Sequence, residues 1–346
     1  MADAAAPSGA RHSRFWLYAP IALLALVAVL WSAAWFVIRD RTGKALDAWI
    51  ASERQAGRAW DCQDRTVRGY PFRVEVTCAA VTLQRGDVKA SLGRVQSVAQ
   101  VYQPRHVITA IGGPLRLSDG RINLEAQWRL LETSIRGSAN GLQRASLVAE
   151  APSVRVSGEG MSETALSSQR LDAHLRPSPG SGEDGSYDVA LNALQARIPA
   201  LDALLGGAEP ANLQLDVTAT RAHGVRGRPI AEEVERWREA DGRLKVLLLS
   251  LAKGPRRLEA RGELRLDEMR RPAGELAVAA AGIEGLIGAA TGSRLGGSLF
   301  GGPSGPAPPS APAGQNLVPL PPLRLENGRL ALGPFVLPNV RLPPLY

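Results

Sequence analysis

A long uncharged stretch near the N-terminus constrains this chain more than any other feature of its sequence. It runs from Phe15 to Ile38 and reads FWLYAPIALLALVAVLWSAAWFVI. A helix of about 24 residues is about 36 Å long, which is enough to cross a bilayer core of about 30 Å. Aromatic residues lie at both ends, where amphipathic rings favour the headgroup boundary. The sequence therefore predicts a transmembrane helix over residues 15–38, preceded by a tail of residues 1–14.

A cleavable signal peptide is the alternative interpretation of this stretch. Ser32-Ala33-Ala34 has the small residues of a cleavage site. The apolar stretch is longer than the roughly 7–15 residues usual in a signal peptide, however, and the bulky Trp31 and Trp35 flank the site. We therefore expect the stretch to be retained as an anchor.

The charges that flank the stretch bear on its orientation. Arg11 and Arg14 precede it. Arg39, Arg41 and Lys44 follow it, so that a count of positive charges places the C-terminal bulk in the cytoplasm. Against that count, the preceding tail is short, and the rest of the chain has the pattern of an exported β-rich domain with a candidate disulfide. We expect the bulk to lie on the exported side.

The overall charge bears on the class of partner. The formal net charge is +8 and the sequence pI is about 10. Basic residues alternate with acidic ones along the chain, no dense Lys/Arg run occurs, and aromatic residues are sparse outside the anchor. We therefore expect a basic surface near anionic lipid headgroups and no nucleic-acid partner.

The two cysteines, Cys62 and Cys78, lie in one short segment. In an exported domain, a disulfide between them would close a loop of about 17 residues and contribute on the order of 3 kcal/mol. Two buried free thiols are the alternative. The four histidines are scattered, and two cysteines are too few for a zinc site, so no metal site is predicted.

After the anchor the apolar pattern changes twice. Residues 39–60 have the pattern of an amphipathic connecting helix, with Leu46, Trp49 and Ile50 on one face. Apolar and polar residues then alternate with a period of two, most regularly in Arg121–Leu130 and Arg257–Leu266. Such alternation indicates strands with one dry and one solvated face. We predict a mainly β fold, in which a large curved antiparallel sheet occupies residues 61–281 with a few packing helices.

Three further segments carry specific predictions. Leu201–Leu205 and Pro229–Asp241 have the pattern of short helices, and Leu244–Leu251 is apolar on both faces, which is typical of a central strand. Residues 282–315 form a Gly/Pro-rich linker. Asn327-Gly328 predicts a hairpin turn within residues 316–346, whose apolar end at Tyr346 we expect to dock on the main sheet.

Signals for catalysis or cofactor binding are absent from the sequence. The stretch Gly180–Gly185 matches G-x-G-x-x-G, but it carries two acidic residues where a phosphate would lie and leads into a strand instead of a helix. No G-x-S-x-G or H-E-x-x-H pattern occurs. We therefore expect a non-catalytic protein without a cofactor or a metal.

One motif carries a family resemblance. Gly69-Tyr70-Pro71-Phe72-Arg73, with Cys62 before it and Cys78 after it, resembles the signature of an uncharacterised bacterial family of single-span envelope proteins, for which no activity is established. Tyr102-Gln-Pro-Arg-His and the ending Leu330–Tyr346 also fit that pattern. The resemblance implies a single-pass protein of the bacterial inner membrane whose bulk lies in the periplasm.

A more distant resemblance concerns the whole plan of the chain. An N-terminal span followed by a β-meander, whose strands start at glycines, is similar to AsmA-like envelope proteins. Those proteins fold as a curved sheet with an apolar groove and are linked to lipid transport or outer-membrane homeostasis. The motif itself predicts a turn into the first strand, where Gly69 permits an unusual φ, Pro71 keeps the backbone extended and Arg73 is available to an acid or a lipid phosphate.

Together these patterns predict an envelope protein that binds or shields lipid in an apolar β groove. Its expected partners are inner-membrane lipid and either a lipid ligand or an envelope protein. The candidate groove residues are Ile122, Leu124, Trp128, Leu258, Leu264 and Leu266. The competing function is a structural or assembly factor that acts through protein contacts. An apolar concave face open to solvent favours the first function, and a filled sandwich core favours the second.

Overall fold

The computed structural model describes residues 15–139, 141–179, 185–222, 230–283 and 317–346. The predicted tail of residues 1–14 and nearly all of the predicted linker of residues 282–315 lie outside these ranges. The same holds for most of the G-x-G-x-x-G stretch at residues 180–185 and for Pro229, where the second short helix was expected to start.

The N-terminal helix is continuous across the boundary that the sequence predicts at residue 38. Helix α1 (Phe15–Gln55) has 41 residues, and its N-terminal part is long and apolar enough to cross a membrane. The predicted span and the predicted connecting helix are therefore one rod, because no helix-breaking residue separates them. The connecting segment ends earlier than expected, since the first strand already begins at Ala59.

The described part of the chain then forms β-strands and two short helices. In chain order the strands are β1 (Ala59–Gln63), β2 (Thr66–Arg68), β3 (Arg73–Cys78), β4 (Ala80–Arg85), β5 (Val88–Leu92), β6 (Val95–Gln100), β7 (Gln103–Ile111), β8 (Leu115–Ser118), β9 (Ile122–Gln127), β10 (Leu130–Ser138), β11 (Gly141–Glu150), β12 (Ser153–Gly158), β13 (Met161–Ser167), β14 (Arg170–Pro177), β15 (Tyr187–Ala196), β16 (Ala211–Ala219), β17 (Leu244–Lys253), β18 (Arg256–Leu266), β19 (Pro272–Ala281), β20 (Val318–Pro319), β21 (Leu323–Glu326), β22 (Arg329–Leu332) and β23 (Phe335–Arg341). The helices are α2 (Pro199–Leu205) and α3 (Ile230–Glu239).

These strands build two antiparallel sheets. Sheet A has seven strands in the order β1-β4-β5-β8-β9-β12-β13. Sheet B has sixteen, in the order β2-β3-β6-β7-β10-β11-β14-β15-β16-β17-β18-β19-β21-β22-β23, with β20 paired to β19 beside that path. The mainly β fold class is thus confirmed, with two sheets where a single one was expected. Neither path closes on itself in the described part of the chain.

The first half of the chain crosses between the two sheets at one corner. The chain first passes from sheet A to sheet B at residues 64–65. Hairpins then leave sheet B, turn in sheet A and return, so that the further crossings fall at residues 79, 93, 112–114, 128–129, 151–152 and 168–169. Sheets that meet at a corner are joined by strands that bend and switch sheets. Glycine is needed there, since a Cβ on Gly93 would lie 2.6 Å from the carbonyl oxygen of Gly113.

The corner explains one difference from the sequence pattern. The alternation in Arg121–Leu130 predicts one strand, but the structure has the end of β9 and the start of β10, which belong to different sheets. Trp128 lies at the break and donates a hydrogen bond from Nε1 to the carbonyl oxygen of Ile111, at 2.7 Å. Alternation continues through a bend because it reports which residues are apolar and carries no information about the direction of the chain.

The second half of the chain stays in sheet B. Val217, Val246, Ala260, Leu276 and Val278 form a buried cluster on one face of strands β16 to β19. Strand β17 pairs on both sides, as its apolar pattern predicts, although Leu247 on its other face is 56% exposed. The predicted hairpin at Asn327-Gly328 joins β21 to β22.

Helix α2 is attached to sheet B through a buried charge. The side chain of Lys253, at the end of β17, is only 1% exposed. Its Nζ donates hydrogen bonds to Oδ1 of Asp202 in α2, at 2.6 Å, and to the carbonyl oxygen of Glu209. A buried ammonium group needs such partners, because removing an unpaired charge from water is costly. The ion pair therefore fixes α2 at this end of the sheet.

Candidate functional site

One face of sheet B carries an uninterrupted row of apolar residues. The row follows directly opposed positions of thirteen strands, and every member is apolar apart from one glycine. Its members are Val74, Ala99, Val107, Ile135, Ala145, Leu175, Val189, Val217, Val246, Gly262, Leu276, Leu323 and Leu332. At a strand spacing of about 4.8 Å the row is about 58 Å long. We call it the apolar row.

The apolar row is buried at its start and again at strands β16 and β17, and it is more exposed between these places. Val74 in β3 is 8% exposed, and Val217 and Val246 are 4% and 6% exposed. Between them, Ile135 in β10 is 50% exposed. In the neighbouring row on the same face, Leu191 in β15 is 36% exposed. Apolar side chains are thus partly or largely exposed over the middle strands, whereas strands β16 to β19 pack into a core.

An apolar cavity of about 680 Å³ lies beside the part of the row that is buried at β16 and β17. Its floor includes Leu244, Leu264 and Leu266 of β17 and β18, and α3 covers it with Ile230 and Val234. Leu244 pairs with Leu264, two residues along from the pair of Val246 and Gly262 in the apolar row. The volume is within the range of about 300–1,000 Å³ typical of small-molecule sites.

Helix α3 forms over this cavity for local reasons. Glu232 and Glu233 lie in its first turn, and Arg236 and Arg238 lie in its last turn, so that both pairs complement the helix dipole. Trp237 donates a hydrogen bond from Nε1 to the carbonyl oxygen of Thr220, at 2.8 Å, which attaches the helix to the end of β16. Three arginines line the cavity beside apolar side chains. Arg221 and Arg265 are exposed, whereas Arg236 is half-buried and forms an ion pair with Glu233.

The end of the chain lies beside the cavity and contacts helix α3. The hydroxyl of Tyr346 donates a hydrogen bond to Oε2 of Glu235 in α3, at 2.5 Å. The Arg270 guanidinium lies 5.1 Å from the centre of the Tyr346 ring, and Leu345 lines the cavity. We call these contacts of Tyr346 the C-terminal latch.

The latch changes the acidity of both of its partners. The hydrogen bond from Arg238 lowers the pKa of Glu235 to about 2, and the Tyr346 hydroxyl acts in the same direction. Burial raises the pKa of Tyr346 above its ordinary value, and the hydrogen bond to Glu235 raises it further. The charged carboxylate and the neutral phenol are therefore the forms that hold the latch together.

The Gly69–Arg73 motif joins the β domain to the apolar part of α1. Trp31 donates a hydrogen bond to the carbonyl oxygen of Pro71, and Trp35 donates one to the carbonyl oxygen of Arg73, both at 2.9 Å. The ring centroids of Trp35 and Tyr70 are 5.4 Å apart, edge to face. Those of Trp31 and Phe72 are 6.3 Å apart. The motif is thus a corner at the start of β3 that also docks on a helix, which the sequence pattern did not indicate.

Gly69 has to be glycine in this corner. Its φ of +111° is disfavoured for other residues, and a Cβ would lie 2.6 Å from the carbonyl oxygen of Arg73. Arg73 itself lies 3.5 Å from Oε2 of Glu75 and is largely exposed. Its side chain therefore has room for a further anionic partner.

The predicted disulfide between Cys62 and Cys78 is confirmed. The Cα atoms of the two residues are 5.2 Å apart, and their sequence separation is 16. Cys62 lies in the edge strand of sheet A and Cys78 at the end of β3 in sheet B. The bond consequently links the two sheets at their corner.

The structure divides the six candidate groove residues into two groups. Ile122, Leu124 and Trp128 lie in β9 or directly after it, on the sheet A side of the corner. Leu258, Leu264 and Leu266 all lie in β18. Leu264 and Leu266 line the cavity under α3, and Leu258 packs against the buried cluster. One groove therefore does not contain all six.

Several residues of the cavity were not identified from the sequence. Val234 and Trp237 lie in a segment predicted to be a short helix, and Leu244 lies in a predicted central strand. These patterns do not show that α3 and β17 meet with space between them. Strand register, which brings Leu244 opposite Leu264, decides this.

Potential metal ligands are scattered over the described part of the chain. Within the described ranges, no group of three or more His, Cys, Asp or Glu residues is arranged to hold a metal ion. A further cavity of about 760 Å³ lies on sheet A and has a largely charged and polar lining. This lining includes Lys89, Arg116, Glu125 and Arg155.

Comparison with known proteins places most of the chain in one family. Residues 35–341 match the family described as uncharacterized protein conserved in bacteria (DUF2125). The match begins within α1 and covers both sheets and the cavity under α3. No curated protein and no solved structure matches the chain.

Proposed function

The chain belongs to this uncharacterised bacterial family, and from that premise we propose that it is a membrane-anchored, non-catalytic envelope protein that binds lipid on the apolar face of sheet B. The observation that carries the proposal is the apolar cavity under α3, which lies beside the buried part of the apolar row. Acyl chains bind to such surfaces because they remove apolar area from water on both partners. The arginines that line the cavity suit a negatively charged headgroup.

The length and exposure of the apolar row support an extended ligand. The row begins at β3, next to the strand end that contacts α1, and it reaches β22. Its middle strands leave apolar side chains exposed, which is the feature expected of an open groove. A lipid that entered from the bilayer beside α1 would find exposed apolar contacts over the middle strands of this face.

We place the protein in the inner membrane with its β domain in the periplasm. Helix α1 is consistent with a single-pass anchor. A disulfide persists in an oxidising compartment, and the bond between Cys62 and Cys78 supports export of the domain. A reporter enzyme that works only in the periplasm should be active when it is fused after Tyr346. Activity of a reporter that works only in the cytoplasm, fused at the same position, would refute this orientation.

The proposal is tested by native mass spectrometry of the full chain released from detergent. We expect co-purified lipid with the wild-type protein. Ile230→Asp should remove the lipid and leave thermal unfolding unchanged, because Ile230 lines the cavity and is 81% exposed. Leu247→Asp is the matched control, since Leu247 is exposed on the opposite face of sheet B.

The competing function, a structural or assembly factor, has one observation in its favour. The cluster around Val217 and Val246 is a packed core, so that part of the apolar face has no room for a ligand. Wild-type protein that carries no lipid, together with an unaltered lipid content in Ile230→Asp, would support that function instead.

A further inference from the structure

One end of sheet B is basic over its first six strands, β2, β3, β6, β7, β10 and β11, and we call this part the basal end. It comprises the strand ends and turns at residues 68–73, 100–106, 136–139 and 141–144. These segments hold five arginines and one histidine, and they hold neither Asp nor Glu: Arg68, Arg73, Arg105, His106, Arg136 and Arg144. At the opposite end of β10 and β11 the charges are paired, since Arg129 lies 2.8 Å from Glu150.

Most of these arginines have no acidic partner. Arg73 lies 3.5 Å from Glu75. Among the residues that the structure describes, no ion pair is formed by Arg68, Arg105, Arg136 or Arg144, and all four are exposed. Arg136 and Arg144 are directly opposed across β10 and β11. Like charges in that arrangement repel each other, so an anion that bound between them would relieve the repulsion.

The basal end also exposes large aromatic rings. Tyr70 is 54% exposed, and Phe72 and Tyr102 are each 63% exposed. Together with Pro71 and the helix residues Leu24, Val27, Ala28 and Trp31, these rings line a cleft of about 560 Å³ between the β domain and α1. Aromatic side chains beside arginines match the composition of the bilayer interface.

The length of the apolar part of α1 determines how deep the basal end of sheet B lies relative to the bilayer. A span needs about 20 apolar residues, and from Phe15 such a span reaches at least to Ala34. If it stopped before Trp31, the remaining helix would measure about 24 Å, which is shorter than a bilayer core of about 30 Å. Trp31 therefore lies within the membrane or at its boundary. Phe72 and Pro71, which contact Trp31, must lie at the same level.

We infer that the basal end of sheet B is docked into the headgroup layer of the bilayer that α1 crosses, with its aromatic rings inserted and its arginines bound to the phosphates of anionic phospholipids. The inference rests on α1 spanning the membrane, which is part of the proposed function. It adds a second, independent membrane contact, which holds the domain at a fixed angle to the bilayer. The apolar row starts one residue beyond Arg73, at Val74, and so begins at the level of the lipid.

Spin labels report this docking in the full chain, reconstituted in nanodiscs of phosphatidylcholine with or without phosphatidylglycerol. The two native cysteines are bonded to each other, so an introduced cysteine is the only thiol to label. The test positions are Phe72→Cys and Tyr102→Cys. Leu26→Cys in α1 reports on the anchor. Met161→Cys is the water-exposed control, because it is 51% exposed and lies at the end of sheet A where β1 begins after α1 has ended.

Accessibility to oxygen and to a water-soluble nickel complex then measures the depth of each label. We expect labels at positions 26, 72 and 102 to favour oxygen and the label at 161 to favour nickel. Labels at 72 and 102 that are as accessible to nickel as the label at 161, with position 26 in lipid, would overturn the docking and leave the anchor intact. A water-exposed label at position 26 would overturn the anchor, and the docking with it.

The arginines are tested in the same samples. Phosphatidylglycerol should move the labels at 72 and 102 deeper. The double substitution Arg105→Gln with Arg136→Gln should abolish this shift. The matched control, Arg116→Gln with Arg155→Gln on the polar face of sheet A, should retain it. A shift that is equal in both double variants would show that the arginines of the basal end do not bind the anionic lipid.

Discussion

The two halves of the β domain use the same strand pattern in different ways. In residues 59–169 every second hairpin lies in sheet A, and the two sheets are held at their corner by glycines, Trp128 and the disulfide. In residues 170–346 all described strands stay in sheet B, and a buried cluster with a helix and the chain terminus provides the packing. The first half contacts α1, whereas the second half contains the apolar cavity. The contact with α1 and the apolar cavity are thus separated along the chain.

The comparison shows where each half is vulnerable. The first half depends on covalent and polar links at a few positions, because its corner leaves few side chains fully buried. The second half depends on apolar burial. Four predictions, from the largest expected effect to the smallest, test this difference.

The largest effect is expected from a charge in the buried cluster. Val246→Asp should cost about 3–5 kcal/mol of the free energy of unfolding, because Val246 is 6% exposed and no cation lies in the cluster to pair with the carboxylate. Denaturant unfolding followed by circular dichroism measures this loss. The next residue provides the control, since Leu247→Asp at a 56% exposed position should change the stability little. Similar losses in both variants would argue against a packed second half.

Loss of the disulfide should be the largest single effect in the first half. Cys78→Ser should lower the free energy of unfolding by about 2–5 kcal/mol, because the bond joins two residues with a sequence separation of 16 and links the two sheets. Hydrogen exchange should rise in strands β1 to β9 and stay unchanged in β16 to β19. Alkylation of unreduced, denatured wild-type protein should add nothing. Two adducts would show that the thiols are free.

A smaller effect is expected at the junction with α1. Trp35→Phe keeps an aromatic ring against Tyr70 but removes the hydrogen bond to the carbonyl oxygen of Arg73, which should cost about 1 kcal/mol. Hydrogen exchange at the start of β3 should increase, while exchange near α3 should not. Trp49→Phe is a suitable control, because Trp49 lies beyond the span and contacts Trp60. An equal increase of hydrogen exchange at the start of β3 in both variants would mean that the hydrogen bond of Trp35 does not specifically protect this strand.

The smallest effect should be local to the C-terminal latch. Tyr346→Phe removes the hydrogen bond to Glu235, so that hydrogen exchange in α3 should increase without a change in global unfolding. The effect should depend on pH. The pKa of Tyr346 is raised in the folded protein. Its contribution to the protection of α3 is therefore present below about pH 10 and is lost as pH rises through the raised pKa.

Glu235 sets the acid limit of the latch. Its pKa is lowered to about 2, so its contribution is present above its ordinary value and is lost as pH falls toward 2. Protection of α3 in the wild type should therefore be greatest between about pH 5 and pH 10. Protection that is independent of pH in the wild type, or an alkaline loss that persists in Tyr346→Phe, would contradict this assignment.

Much of the fold follows from patterns that can be read locally. The uncharged stretch predicts the apolar part of α1, and alternation predicts a mainly β domain with antiparallel strands. Asn327-Gly328 marks the hairpin between β21 and β22 because both residues accept a positive φ, and the structure has φ values of 53° and 71° there. The spacing of Cys62 and Cys78 made their disulfide the favoured alternative.

The site could be predicted only in part, and the reason is geometric. Leu264 and Leu266 were candidates because they lie on the apolar face of a strand, and so was Leu258, which packs against the core. The alternating pattern does not show which of these three residues lines a cavity and which packs in the core. Only the position of α3 and of the C-terminal latch distinguishes the end of β18 that faces a cavity from the part that is filled.

What the sequence by itself determined is the set of properties that depend on neighbours along the chain: helix or strand, apolar or polar face, turn and anchor. Tertiary structure alone decided how these faces meet. It decided that hairpins bend between two sheets at Gly93 and Trp128, that thirteen strands align their apolar positions, and that Pro71 and Phe72 lie against Trp31. Register and corner geometry depend on contacts between residues far apart in sequence, and each alternating strand satisfies its own pattern equally well in either sheet.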